Sequence, residues 1–348
     1  MSRALFVRNP ALNGNSSTVD MTASFAGMTL PSPVLTASGC AAAGKELDAF
    51  FDITSIGAVV TKSIMLQPRS GRATPRMAET PSGMLNSIGL QGPGLDRFIE
   101  EDLAWLNERG ARTIVSIAGG TVDEFGKIAQ RLRNVGGFDA IEVNISCPNV
   151  ADRGQVFACQ ASTASQVIQV VKRNSDGRTP IFAKLSPDVT DIVEIADAVI
   201  KAGATGLSVI NTLLGMVIDP STMRPALAGI TGGLSGPAIR PVAVRCVWSI
   251  RQEFPDIPII GMGGIRTGLD ALEFVLAGAN AVSVGTSIFN DPIAPFRIQS
   301  ELQTALAERG FASLSDAVSY AHRPMDFERE VLHLESDSSA EEWDFISE

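Results

Sequence analysis

Short apolar runs rich in β-branched residues recur eight times along the chain, at 34–36, 58–61, 113–117, 140–143, 181–183, 206–210, 257–260 and 281–284. Between them lie stretches whose apolar residues repeat at helical spacing, at 95–109, 122–132, 164–173, 191–201, 238–254 and 268–277. Glycines stand just past several of these stretches (Gly110, Gly136, Gly203, Gly278), where helices prefer to stop. Strands that alternate with helices pair in parallel through right-handed crossovers. Eight such units within about 250 residues fit a (β/α)8 barrel. An open doubly wound sheet is the alternative, but its dinucleotide site wants G-x-G-x-x-G after the first strand, and none is there. The expected fold class is therefore α/β, a TIM barrel. Residues 21–30, with Ala26 and Gly27 between two strand-like pieces, read as an N-terminal hairpin on the barrel floor. Residues 1–18 read as a flexible leader, 19–322 as one barrel and 323–348 as an acidic, disordered tail.

Charge and rare residues narrow the chemistry. Of the net charge of −10, −8 falls in residues 326–348, which leaves −2 for residues 1–325. A near-neutral body suits neither nucleic acid nor an anionic membrane. No apolar run reaches the roughly 18 residues of a membrane span, and the first residues lack the long apolar stretch of a secretory signal. A cytoplasmic location is expected. Both histidines, His322 and His333, and the only tyrosine, Tyr320, lie beyond residue 319. A histidine-based triad, a histidine-rich zinc site and a tyrosine acid are thus excluded from the body. The four cysteines, Cys40, Cys147, Cys159 and Cys246, show no C-x-x-C spacing, so no metal site or disulfide framework is expected. The body works with Cys, Lys, Asn, Ser, Thr and acids, or with a cofactor.

Polar residues end several of the predicted strands: Lys62 the second, Asn144 the fourth, Lys184 the fifth, and Asn211 with Thr212 the sixth. Strand C-termini of a barrel converge on one mouth, where long βα loops carry function. Three such connections are long, at 63–94, 148–161 and 213–236. A lone lysine or asparagine merely caps its strand; several at equivalent positions point to a site. After the seventh strand comes Gly261-Met-Gly-Gly264, and after the eighth Gly285-Thr286. Glycine lets backbone N–H groups approach phosphate oxygens, and barrels often seat a phosphate on these two loops. The ligand is expected to be phosphorylated, with Lys62 and Lys184 facing its polar head. Cys147 stands before Pro148 in the polar stretch Asn144-Ile-Ser-Cys-Pro-Asn149, and is the best proton carrier at the mouth.

These stretches resemble a known family. EVNISCPNV (142–150), SGMLNSIGLQGPG (82–94), AKLSPDVTDIV (183–193), VINTLLGM (209–216), ITGGLSGPAI (230–239) and PIIGMGGI (258–265) together are similar to class 1 dihydroorotate dehydrogenase, most of all to its B-type catalytic subunit. The resemblance runs over about residues 20–315. It implies a barrel that holds FMN at its mouth and oxidises dihydroorotate to orotate in pyrimidine (UMP) synthesis. It also implies roles, residue by residue. Ser38, Lys62, Ser63, Ser116, Asn144, Lys184 and Ile210 would contact the flavin, and Gly236, Gly263, Gly264, Gly285 and Thr286 its ribityl phosphate. Lys62, Asn86, Ser87, Ile88, Gly89, Leu90, Asn144, Asn149, Asn211 and Thr212 would line the substrate pocket. Cys147 would be the base that takes the C5 proton, while FMN takes the C6 hydride.

The chain departs from the family pattern in places. Ser116 stands where B-type relatives usually carry Asn, and Ala158 with Cys159 replaces a Gly-Thr. The resemblance implies a homodimer, or a heterotetramer with an iron–sulfur flavoprotein subunit. That separate subunit would carry FAD and a [2Fe–2S] cluster and pass electrons to NAD, whereas fumarate or a quinone would need no such partner. Two rival readings are a uracil-reducing flavoenzyme of the same barrel and a non-catalytic scaffold acting through the acidic tail. The first lacks a reason for Lys62 and Asn86 to converge on a carboxylate; the second is hard to square with an intact Cys147 and intact glycine turns.

Overall fold

The structure, a computed structural model, describes residues 19–145 and 160–324. The barrel strands are β1 (Val34–Thr36), β2 (Val59–Val60), β3 (Thr113–Ile117), β4 (Ala140–Asn144), β5 (Ile181–Leu185), β6 (Gly206–Val209), β7 (Ile259–Met262) and β8 (Ala281–Val284). They form one eight-stranded sheet in the order β1-β8-β7-β6-β5-β4-β3-β2. Every neighbouring pair is parallel. A parallel bridge between Leu35 and Ala58 joins the two ends, so the sheet closes as the alternation of strands and helices requires. The strands are buried along their whole length, as expected where a barrel core lies inside and helices lie outside.

Most predicted elements appear, with shifted ends. β7 lies two residues later than the apolar run 257–260, because Pro258 has no N–H to give the ladder. Its carbonyl still accepts from the Leu207 amide at 2.8 Å. The helical stretch 95–109 is continuous but changes pitch: Leu95–Arg97, a π-helical Phe98–Leu103, then Ala104–Arg109, ended by Gly110 in the left-handed region. Helix Gly268–Leu276 is fixed by a capping box between Thr267 and Asp270.

At the barrel floor, strands Ala23–Phe25 and Met28–Leu30 form the expected hairpin, turning through Ala26 and Gly27 at φ +51° and +78°. Phe25 packs edge-on against Phe182 of β5, with centroids 6.0 Å apart. Gly206 on β6 makes room for that ring; a Cβ there would sit 2.4 Å from it. Truncating so large a buried side chain removes roughly 3–5 kcal/mol.

Over the mouth, two connections expected as loops hold strands of their own. The connections 63–94 and 213–236 contribute strands Met77–Thr80, Gly83–Asn86, Leu213–Gly215 and Gly232–Ser235. These pair into a four-stranded antiparallel sheet that hoods the barrel. Among the described residues, no helix is long and apolar enough to cross a membrane.

Candidate active site

Lys184, near the end of β5, and Glu142, on β4, are both almost fully buried, at 4% and 1% exposure. A buried ammonium without a counter-charge costs several kcal/mol, and here Glu142 Oε1 lies 3.5 Å from Lys184 Nζ. Lys184 also donates to Ser38 Oγ at 2.9 Å, at the turn after β1. From Glu142 the network runs sideways across the mouth. Ser116 on β3 donates to Glu142 Oε1 at 3.0 Å, and its hydroxyl lies 2.9 Å from Ser63 Oγ. Asn144 Nδ2 donates to Ser63 Oγ at 2.8 Å, and Asn211 Nδ2 to Asn144 Oδ1 at 3.4 Å. The amide oxygen of Asn211 accepts from the Thr212 backbone at 2.8 Å. One continuous chain of polar groups thus joins six barrel strands and loops.

Lys62 belongs to the same mouth. Its backbone N–H donates to Ala42 at 2.8 Å, tying the end of β2 to the loop after β1. Cys40 lies within reach of the charge of both lysines. Burial pushes its thiol above the ordinary range, while the charges of Lys184 and Lys62 pull it back. Ile210 is buried just past β6, and its amide donates to Met262 at 3.1 Å.

The hood brings the residues expected to face a substrate in from above. Asn86 Nδ2 donates to the Gly233 carbonyl at 3.4 Å. A Cβ on Gly233 would lie 2.0 Å from Thr212 Oγ1, so glycine is what lets Asn86 and Thr212 flank one point. Ser87 is buried and accepts from Arg72 Nη1 at 3.2 Å; the Ile88 carbonyl accepts from the Arg72 amide at 2.9 Å. Gly89 and Leu90 turn through the left-handed region at φ +78° and +55°, and Leu90 packs beside Met65 and Ala118.

Where hood strand Gly232–Ser235 ends, three glycines approach one another. A Cβ on Gly264 (φ +78°) would meet the Gly236 carbonyl oxygen at 2.7 Å, and one on Gly263 would meet Ala243 at 2.8 Å. Thr286 follows Gly285 and donates to Ser235 Oγ at 2.7 Å. A Cβ on Gly285 would come 3.4 Å from Cys40 Sγ. The backbone is therefore bare where β6, β7 and β8 hand over to their loops.

Cys147 and Asn149, together with Ala158 and Cys159, lie outside the described residues. The other residues expected at the mouth lie on the strand ends, hood strands and loops just described. Sequence reasoning passed over Glu142 and Cys40. An acid inside the apolar run Ala140–Asn144 was the available signal for Glu142; for Cys40 there was none beyond its place two residues after Ser38.

A closed barrel with a buried ion pair, converging asparagines and a glycine cradle at its strand C-termini defines a barrel enzyme with its working face at the mouth. The family model "Dihydroorotate dehydrogenase" matches residues 20–306. The chain is 48% identical over 299 residues to a "Dihydroorotate dehydrogenase B (NAD(+)), catalytic subunit" of Geobacter sp. (strain M21), covering 86% of this chain and 97% of that one. It is 47% identical over 292 residues to the protein of the same name from Geobacillus kaustophilus, covering 84% and 92%. Among solved structures it is similar to DHODH in complex with ferulenol from Eimeria tenella, at TM-score 0.74 and 27% identity over 88% of this chain and 89% of that one. The chain belongs to the dihydroorotate dehydrogenase family, with the B-type catalytic subunits.

Proposed function

We propose that this chain oxidises (S)-dihydroorotate to orotate with FMN as its resident cofactor, in pyrimidine (UMP) synthesis. The observation that carries the reading is the polar chain at the mouth, which links the residues expected to face a flavin (Ser38, Lys184, Ser63) to those expected to hold substrate (Asn144, Asn211). Residues 19–322 act as one FMN-binding unit, with 1–18 and 323–348 as a leader and an acidic tail outside it.

The residues present fit FMN. Gly236, Gly263, Gly264, Gly285 and Thr286 would hold the terminal phosphate, because bare backbone there leaves N–H groups accessible. No adenine-site fingerprint accompanies them, which favours FMN over FAD. Lys184, with Ser38, would meet the polar end of the ring system. When bound, FMN supplies a two-electron acceptor for the hydride leaving C6 of the substrate.

The chain's own residues do the rest. Asn144, Asn149, Asn211 and Asn86 carry amides that both donate and accept, matching the imide and carboxylate of the substrate ring. Lys62 places a cation where the carboxylate would lie. Cys147 takes the C5 proton on its sulfur, the body offering no histidine or tyrosine for the task. The buried Lys184 ammonium balances the negative charge that arrives with the hydride, in a dry site where such a charge counts most. Relatives bear the name "catalytic subunit". By that likeness this chain works with a second subunit that carries FAD and a [2Fe–2S] cluster and delivers electrons to NAD, in a heterotetramer built on a homodimer.

The test is substrate discrimination. Purified holoprotein is mixed without oxygen with dihydroorotate or with dihydrouracil, which lacks the carboxylate. Flavin reduction by dihydroorotate alone, with orotate as product, supports the reading. Equal reduction by dihydrouracil would move the chain to a pyrimidine-reducing relative.

A further inference from the structure

We infer that Glu142 is a positioning residue of the reaction, acting on the flavin through Lys184. Its carboxylate holds the Lys184 ammonium from one side, at 3.5 Å, while Ser38 Oγ holds it from another, at 2.9 Å. Both charged groups are buried, so neither is screened by solvent and neither can swing away. The same carboxylate oxygen accepts from Ser116, whose hydroxyl also meets Ser63, the partner of Asn144. One carboxylate therefore fixes a cation on the flavin side and, through two serines, an amide on the substrate side.

The charge count gives this geometry a consequence. The inner mouth holds Lys184 and Glu142 as an almost neutral pair, with Lys62 close enough that both lysines act on Cys40. A lone Lys184 would favour the added negative charge of the reduced cofactor strongly; Glu142 tempers that preference. Glu142 thus sets how readily the site accepts electrons and how readily it passes them on. Ser116 contributes by holding the carboxylate against Lys184.

This inference rests on FMN occupying the mouth, and the test separates the two. Wild-type protein that holds no flavin would refute the occupancy itself. With flavin present, the midpoint potential is measured by reductive titration against a redox dye for wild type, Glu142→Gln, Lys184→Met and the double variant. Glu142→Gln keeps the shape and the acceptor for Ser116 but removes the charge. The expected result is a shift toward the reduced form of at least tenfold, about 30 mV for a two-electron couple. Lys184→Met shifts the potential the other way, and Glu142→Gln then shifts it by clearly less in the Lys184→Met background, where no ammonium is left to be held. An unchanged potential in Glu142→Gln, or the same shift with and without Lys184, would overturn the proposal. Should Glu142→Gln alone fail to fold, thermal unfolding of the double variant decides. A stable double variant supports the pairing, because removing both charges leaves nothing uncompensated. A double variant that also fails to fold shows that the carboxylate serves the barrel rather than Lys184, and overturns it.

Discussion

At the scale of single residues, the site depends on chemistry that few side chains here can supply. If Cys147 is the base, Cys147→Ala keeps its flavin and binds orotate, because neither the glycine cradle nor the asparagines are touched. Its flavin reduction by dihydroorotate falls by about 10²–10⁴-fold, the usual loss on removing a positioned acid–base group. Single-turnover reduction at the wild-type rate would assign the proton to another group. Cys40 behaves oppositely. Burial holds its thiol protonated above the ordinary thiol range, so the folded state keeps a proton that the unfolded chain gives up. Its stabilising effect is fully present below the unfolded thiol value of about 8.5 and is lost as pH rises above it. The melting temperature measured from pH 7 to pH 10 should therefore fall less steeply in Cys40→Ala than in wild type; parallel curves would contradict this. Lys62, Asn144, Lys184, Asn211 and Thr212 were legible in the sequence because each polar residue ends an apolar run. Glu142 was not, because one acid within a strand gives no sign of its partner until the neighbouring strand places Lys184 beside it.

At the scale of elements, the barrel strands were legible because strands buried on both faces read as continuous apolar runs. The hood was not. Its strands are three or four residues long, and Gly83, Gly215, Gly232 and Gly233 interrupt any alternation. Those glycines serve close approach rather than a pattern: at Gly83 an added Cβ would lie 2.0 Å from the Ser235 carbonyl. The glycine cradle, proposed to hold the phosphate, is the element most open to a direct trial. Gly264→Val puts a branched side chain against the Gly236 carbonyl, 2.7 Å from its Cβ, at a backbone φ of +78° that valine disfavours. The expected outcome is loss of most bound flavin, at least tenfold in affinity, with the far-UV circular dichroism of the barrel retained. A variant purified with full flavin would place the phosphate elsewhere.

At the scale of the whole molecule, the charge is unevenly spread along the sequence. Of the net charge of −10, only −2 belongs to residues 1–325, where all the groups assigned to binding and chemistry lie. Among the described residues, the fold gathers these groups at one mouth: the strands supply the ion pair and Asn144, the hood lies above, and the glycine turns adjoin the hood. The claim that joins these parts is that one bound flavin takes two electrons from one dihydroorotate at this mouth. An anaerobic titration of the purified yellow protein with (S)-dihydroorotate tests it most directly, following the flavin's visible absorption and the orotate formed. One equivalent of dihydroorotate per FMN should bleach the flavin and yield one orotate. A flavin that stays oxidised through excess dihydroorotate, or a bleached flavin with no orotate, would contradict the account.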